Sequence, residues 1–161
     1  MTTVHITDVA PTPDENGVYQ LLVDPAYLSF IADLSGPFHV FNTIQQALDY
    51  CEQIDKDAMK TITVAPGTYN EKLEITIPNL SIVGVGETPA DVIITFDDVA
   101  DRSEPNGFVH VLDSTATVTV RESAYNVKIE NLTISNPNDI NDSDGALTLL
   151  VQSEGFVFEG A

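Results

Sequence analysis

A single cysteine, no tryptophan and only six basic residues stand in this chain of 161. One thiol cannot build a disulfide framework, and Cys51, spaced helically with Ile44, Ala47 and Leu48, reads as a small core residue. Six Lys and Arg against 25 Asp and Glu give a formal charge of −19. Such a surface repels nucleic acid and anionic membranes, so neither is expected as a partner. No apolar run approaches the ~18 residues of a membrane span, and no basic start leads into an apolar stretch as in a signal peptide. Long Gly/Ser or Gln/Asn tracts are missing too, while 43% of the residues are hydrophobic. That combination predicts one folded domain with a real core.

Several familiar chemistries lack their residues. His5, His39 and His110 lie far apart and share no metal-ligand spacing with carboxylates, and no Gly-x-Ser-x-Gly elbow offers a serine nucleophile. Asp139-Ile140-Asn141-Asp142-Ser143-Asp144-Gly145 has Ile140 and Val151 where an EF-hand needs ligands, so it reads as a solvated loop. Asp97, Asp98 and Asp101 read the same way. Gly84-Val85-Gly86 is short of a dinucleotide fingerprint. Asn131-Leu132-Thr133 is a formal glycosylation sequon, but Thr133 falls in a strand pattern. No metal, cofactor or catalytic residue is therefore assigned within the chain.

What is present is a helix followed by strands. Thr43 and Gln46 have capping-box spacing, and Ile44, Ala47, Leu48, Cys51 and Ile54 recur at helical intervals, predicting a helix from Thr43 to about Ile54. Gln45 and Gln46 are read as cap and surface residues. Ahead of it, Thr3 to Val9 and Val18 to Val23 are strand candidates on either side of a loop with an Asn16-Gly17 turn. Asp24 to Pro37 holds an apolar patch that suggests a short helix. Beyond the helix the apolar period becomes two, at Ile62/Val64, Leu73/Ile75/Ile77, Leu80/Ile82, Val92/Ile94, Val118/Val120, Val127/Ile129 and Leu132/Ile134.

Three segments share one frame: 79–84, 126–131 and 155–160. Each has two apolar residues one apart, bracketed by Asn or Gly, residues that tolerate the left-handed backbone needed at a corner. Frame starts 47 and 29 residues apart suit two turns and one turn of a solenoid with a repeat of roughly 20 to 30 residues. A β-sandwich is the alternative, but tight hairpins between the strands are missing, which favours parallel coils. The expected fold is all-β: a right-handed parallel β-helix of about four to five coils, incomplete at the C-terminus, with an N-terminal capping helix. Residues 1–37 form an extension with the first strands, and 38–161 form the coils.

The words of the chain are more particular. Phe41-Asn42-Thr43-Ile44-Gln45-Gln46-Ala47, Gly67-Thr68-Tyr69-Asn70-Glu71 and Leu80-Ser81-Ile82-Val83-Gly84 resemble the opening of the pectinesterases, or pectin methylesterases. Thr115-Ala116-Thr117, Asn131-Leu132-Thr133-Ile134-Ser135-Asn136 and Ala146-Leu147-Thr148-Leu149-Leu150-Val151 continue the resemblance in order. It implies a carbohydrate esterase that hydrolyses methyl esters of galacturonate in pectin, secreted in the parent protein, with an aspartate nucleophile and glutamine oxyanion donors. Gly145 stands at the first of those glutamines and Leu112 at a position many members give to threonine. The stretches that carry the family's aspartates would fall after Ala161, so the chain by itself is expected to be inactive. A substrate groove is expected near Thr115, Gly145 and Thr148, with pectin or a related acidic polysaccharide as partner and the esterified form preferred. Self-association through an exposed last coil is a further expectation. A non-catalytic carbohydrate-binding or adhesion module, and a calcium-dependent pectate-lyase-like protein, are the other readings.

Overall fold

The computed structural model describes residues 13–25, 38–98, 115–137 and 146–160. The expected strand at Thr3 to Val9 and the expected helix within Asp24 to Pro37 lie outside these residues, wholly or for the most part. Strands β1 (Tyr19–Val23) and β2 (Phe38–Phe41) precede helix α1 (Ile44–Cys51). Then come β3 (Lys60–Val64), β4 (Gly67–Asn70), β5 (Leu73–Ile75), β6 (Leu80–Gly84), β7 (Val92–Thr95) and β8 (Val118–Val120). The last four are β9 (Val127–Glu130), β10 (Thr133–Ser135), β11 (Leu149–Val151) and β12 (Val157–Glu159).

The strands form three parallel sheets that the chain visits in rotation. Sheet A has the order β12-β9-β6-β3-β1-β2, sheet B is β10-β7-β4 and sheet C is β11-β8-β5. Every pairing among the described residues is parallel, which excludes the antiparallel sandwich. The expected alternating residues fall on strands except Ile77 and Leu132, which lie just outside β5 and β10, and β1 sits between β2 and β3.

The rung count corrects the sequence reading. Lys60 pairs with Leu80, Leu80 with Val127 and Lys128 with Val157, so successive rungs are 20, 47 and 29 residues apart. The longest interval is one rung, not two, because a long excursion between β7 and β8 sits inside it. The described residues hold three complete rungs, β3–β5, β6–β8 and β9–β11, with β1 and β2 ahead of them in sheet A and β12 opening the next, against an expectation of about four to five coils.

Pairing in register stacks like on like. Leu21, Ile62, Ile82, Ile129 and Phe158 form one inward column of sheet A, the first four of them almost fully buried. Tyr69, Ile94 and Ile134 do the same in sheet B, and Ile75, Val120 and Val151 in sheet C. At a strand spacing of about 4.8 Å, each column is a continuous apolar contact that stabilises the stack. Five of the six predicted corner residues take the left-handed conformation, Asn79 and Asn126 at φ 57°, Gly155 at 70°, Asn131 at 54° and Gly160 at 57°; Gly84 does not, and is needed instead for its close approach to Asn131. Asn126 donates its side-chain amide to Asn79 Oδ1 at 2.8 Å, and Asn79 donates its own to the Lys56 carbonyl at 2.9 Å. Asn131 donates to the Gly84 and Gly86 carbonyls, so the sequon asparagine is committed inside the ladder.

Gly155 continues the Asn79–Asn126 ladder without an amide. A Cβ there would meet only ordinary contacts at 3.5 and 3.6 Å from Asn126. We expect Gly155→Asn to stabilise the chain by at most ~0.5 kcal/mol, because one added hydrogen bond and a less flexible unfolded state only slightly outweigh the strain of a side chain at φ 70°, which Asn79 and Asn126 already bear. A higher denaturant midpoint at unchanged slope is the check.

Helix α1 carries the expected capping box: Thr43 Oγ1 accepts from Gln46 N, and the Gln46 side chain accepts from Thr43 N. The helix ends at Cys51 rather than near Ile54, because Glu52, Gln53 and Ile54 donate three residues back and tighten the last turn. Ile54 still reaches the core. Cys51 is fully buried, which pushes its thiol up to about 12. Among the described residues no helix is long and apolar enough to cross a membrane.

Glu71 holds this helix from a distance. Its carboxylate accepts from Ile44 N at 2.9 Å and Gln45 N at 3.0 Å, satisfying two amides that the capping box leaves open. Gln45 returns the tie by accepting from Glu74 N on β5. The Phe-x-Thr-Ile-Gln and Gly-x-Tyr-x-Glu words are thus two halves of one joint. Tyr69, buried between them, donates to the Ala65 carbonyl at 2.7 Å. Glu71→Ala is expected to cost about 1–2 kcal/mol, with Glu71→Gln milder because it keeps one acceptor. Thermal unfolding of the two variants beside the parent measures this.

Sequence reasoning missed Lys60, a lysine with no exposed surface. Its ammonium donates to the carbonyls of Lys56 at 3.3 Å, Ala58 at 2.9 Å and Pro78 at 3.2 Å. Three carbonyls replace the lost water, while desolvation still lowers its pKa.

Candidate functional site

Sheets B and C meet at a corner where the chain twice makes a long departure. It leaves β7 through Phe96, Asp97 and Asp98 and re-enters β8 through Thr115, Ala116 and Thr117. One rung later it leaves β10 through Asn136 and Pro137 and re-enters β11 through Ala146, Leu147 and Thr148. Backbone on a rigid ladder that gives rise to long connections at one place is the usual setting of a binding site.

The roots of these departures are stitched together by three side chains. Asn136 Nδ2 lies within hydrogen-bond reach of the carbonyls of Asp98 (2.8 Å), Leu147 (3.0 Å) and Thr115 (3.2 Å), and its Oδ1 accepts from Asp98 N at 3.3 Å. Thr115 Oγ1 accepts from Leu147 N at 2.9 Å. Thr117 Oγ1 reaches the carbonyls of Ser135 at 2.9 Å and Phe96 at 3.3 Å. Thr115, Ala116 and Thr117 form a buried floor.

Above it stands a rim of different chemistry. Phe96 is 37% exposed, and the Lys72 ammonium sits 5.8 Å from its ring centroid while pairing with Asp98. Thr148 is exposed, and its carbonyl accepts from Val118 N at 3.1 Å. An aromatic face, an ammonium and a hydroxyl are groups that bind sugar rings and their carboxyl substituents.

The structure brings Thr115 and Thr148 to one corner, joined through Leu147. Thr115 is buried and holds the neighbouring segment, whereas Thr148 faces solvent. Gly145 lies outside the described residues, as do Asp139–Asp144, Asp101, His5 and His110. Asp98, expected in a charged loop, does lie outside any strand and is tied there to Lys72 and Asn136. Among the described residues no cluster of three or more His, Cys, Asp and Glu could hold a metal ion. Asn136, Thr117, Phe96 and Lys72 were missed as members of this corner. Asn136 did leave a signal, as the last residue of the Asn-Leu-Thr-Ile-Ser-Asn word immediately before a loop.

No protein-family model matches the sequence, and no curated protein matches it. Solved structures do match. A pectin methylesterase variant in complex with a hexasaccharide superposes with a TM-score of 0.66 at 22% identity, over 92% of this chain and 42% of that one. The Escherichia coli protein ybhc gives 0.66 at 16% identity over 94% and 43%. Pectin methylesterase PemA from Erwinia chrysanthemi gives 0.59 at 20% identity over 93% and 46%. The chain spans less than half the length of these proteins, and over nearly all of its own length it shares the fold of pectin methylesterases.

Proposed function

We propose that this chain is the N-terminal portion of a secreted carbohydrate esterase of the pectinesterase type, built on a right-handed parallel β-helix. Crossovers between parallel strands of one sheet are right-handed in about 98% of cases, which supports that hand for all three sheets. The substrate class is pectin with methyl-esterified galacturonate, lying along the B–C corner near Thr115, Gly145 and Thr148. The observation that carries this reading is the corner itself: two long departures stitched by Asn136 on a ladder whose structural neighbours are pectin methylesterases. The ester chemistry is assigned to the whole protein. In residues 1–161 a glycine stands where the resemblance places the first oxyanion donor, and loss of such a donor typically costs ~10²–10³ in rate.

A non-catalytic carbohydrate-binding module is the second reading. It is favoured by Gly145 and Leu112, which stand where the resemblance places an oxyanion glutamine and a threonine.

Residues 1–161 are expected to release no methanol from methylated pectin above a buffer blank, yet to bind it. With a formal charge of −19, binding is stronger to highly methylated pectin than to polygalacturonate. The difference shrinks as salt screens the repulsion. Methanol release that survives re-purification and scales with protein overturns the inactivity. Equal binding to both polymers at low salt overturns the electrostatic preference, and binding to neither removes the assignment to pectin.

A further inference from the structure

Among the described residues, Phe96 is the large apolar side chain that the B–C corner leaves exposed. Its backbone is held on both sides: the N–H donates to the Ser135 carbonyl at 3.2 Å, and the carbonyl accepts from Thr117 Oγ1 at 3.3 Å. Lys72 is fixed in a similar way. The amides before and after it, Glu71 N and Leu73 N, donate to the Thr95 and Thr117 carbonyls at 3.1 and 2.7 Å. Asp98 is clamped at both its N–H and its carbonyl by the Asn136 side chain. The side chains nonetheless stay open to solvent, Lys72 at 36% and Asp98 at 34%. They meet in one group, the ammonium paired to Asp98 and 5.8 Å from the Phe96 ring centroid. An aromatic face and an ion pair carried on so constrained a backbone are preorganised, so a ligand that uses them loses little entropy in ordering them.

We propose that Phe96, Lys72 and Asp98 form a sugar subsite that takes a methyl-esterified galacturonate in preference to the free acid, an assignment that rests on the pectin reading above. The C–H face of a pyranose ring is apolar and stacks on an aromatic ring. Lys72 donates to hydroxyl or ester carbonyl oxygens, and Asp98 accepts from hydroxyls. Charge makes the choice. An incoming uronate carboxylate meets Asp98 beside an ammonium already committed to it, whereas a neutral ester brings no charge to repel. This selection acts at contact distance. It therefore survives in part when salt removes the long-range repulsion of a chain with a formal charge of −19, the screening length being about 3 Å at 1 M.

Isothermal titration calorimetry of the 161-residue chain tests this, with fully methylated and unesterified oligogalacturonates of one length in about 1 M NaCl. The parent is expected to bind the ester about two- to fivefold more tightly than the acid. Asp98→Asn brings that ratio to about one, by raising affinity for the acid. Phe96→Leu keeps apolar bulk but removes the aromatic face, and weakens both ligands about three- to tenfold. Tyr125→Leu, at an exposed aromatic just before β9, changes neither. Circular dichroism and the thermal midpoint of each variant beside the parent show that it is folded. Equal parent affinities at this salt, an Asp98→Asn ratio equal to that of the parent, or a folded Phe96→Leu with parent affinity would each overturn the subsite. In those three cases the parent still binds methylated chains, so the pectin reading stands; binding of neither ligand overturns both.

Discussion

Gly84→Ala is expected to lower the stability of the chain by about 3 kcal/mol or more, beyond the usual range for a single added methyl. A Cβ at this position would stand 2.1 Å from the Asn131 carbonyl oxygen and 3.2 Å from Leu132 Cβ. The obstacle is backbone, so no rotamer change relieves it. Asn131 cannot retreat cheaply either, because its side chain is bonded to the Gly84 and Gly86 carbonyls and its backbone is left-handed. Separating the two means parting β6 from β9 in the middle of sheet A. Urea unfolding of Gly84→Ala beside the parent measures the loss, and a shift below 1 kcal/mol would show that the rungs slide past one another more easily than their pairing implies.

Raising the pH is expected to unfold the chain steeply between about pH 11 and 12, driven by groups that burial keeps protonated. The Cys51 thiol is held at about 12 against an ordinary value of 9.0, chiefly by desolvation. The Tyr69 phenol is also held at about 12, against 10.0, for the same first cause. Both folded values lie above the unfolded ones. The unfolded chain thus releases these protons first, so stability is intact below pH 9 and drains away between 9 and 12. At 1.36 kcal/mol per unit, the thiol accounts for about 4 kcal/mol by pH 12 and the phenol for about 3. Lys60 acts the other way, because its folded pKa is lowered and losing its proton favours the folded chain. The sum rivals the 5–15 kcal/mol stability of an ordinary domain. Circular dichroism against pH locates the transition, and Cys51→Ala should move it upward by roughly half a unit. An unmoved midpoint would mean that the thiol does not govern it.

Features set by neighbours in sequence were legible; those set by neighbours in space were not. The capping box spans three residues, and Asn79, Asn126 and Gly155 advertise left-handed corners because few other residues accept them. Strand pairs announce themselves by alternation. The rung count did not, since an excursion of any length leaves the register of β6 on β9 unchanged. Glu71 reaches a helix 27 residues earlier, a distance at which no local pattern operates. Lys60 is buried against the habit of lysine, and only the three carbonyls around it explain why. At the candidate site, the words naming Thr115 and Thr148 fall at one corner of the ladder, but the partner of the Thr115 hydroxyl was beyond the reach of sequence.

The stitching at Asp98, Thr115, Asn136 and Leu147 turns the corner into a splice point. Each departure begins and ends on residues already fixed by the ladder, so exchanging what lies between requires no change in the columns of Ile62, Ile82 and Ile129. The entropy of closing a loop between fixed ends rises by only about 0.6 kcal/mol for each doubling of its length. Segments 99–114 and 138–145 can therefore diverge in length and composition far faster than the strands that bear them. These connections are free to change at one edge of the molecule while the inherited frame stays as it is.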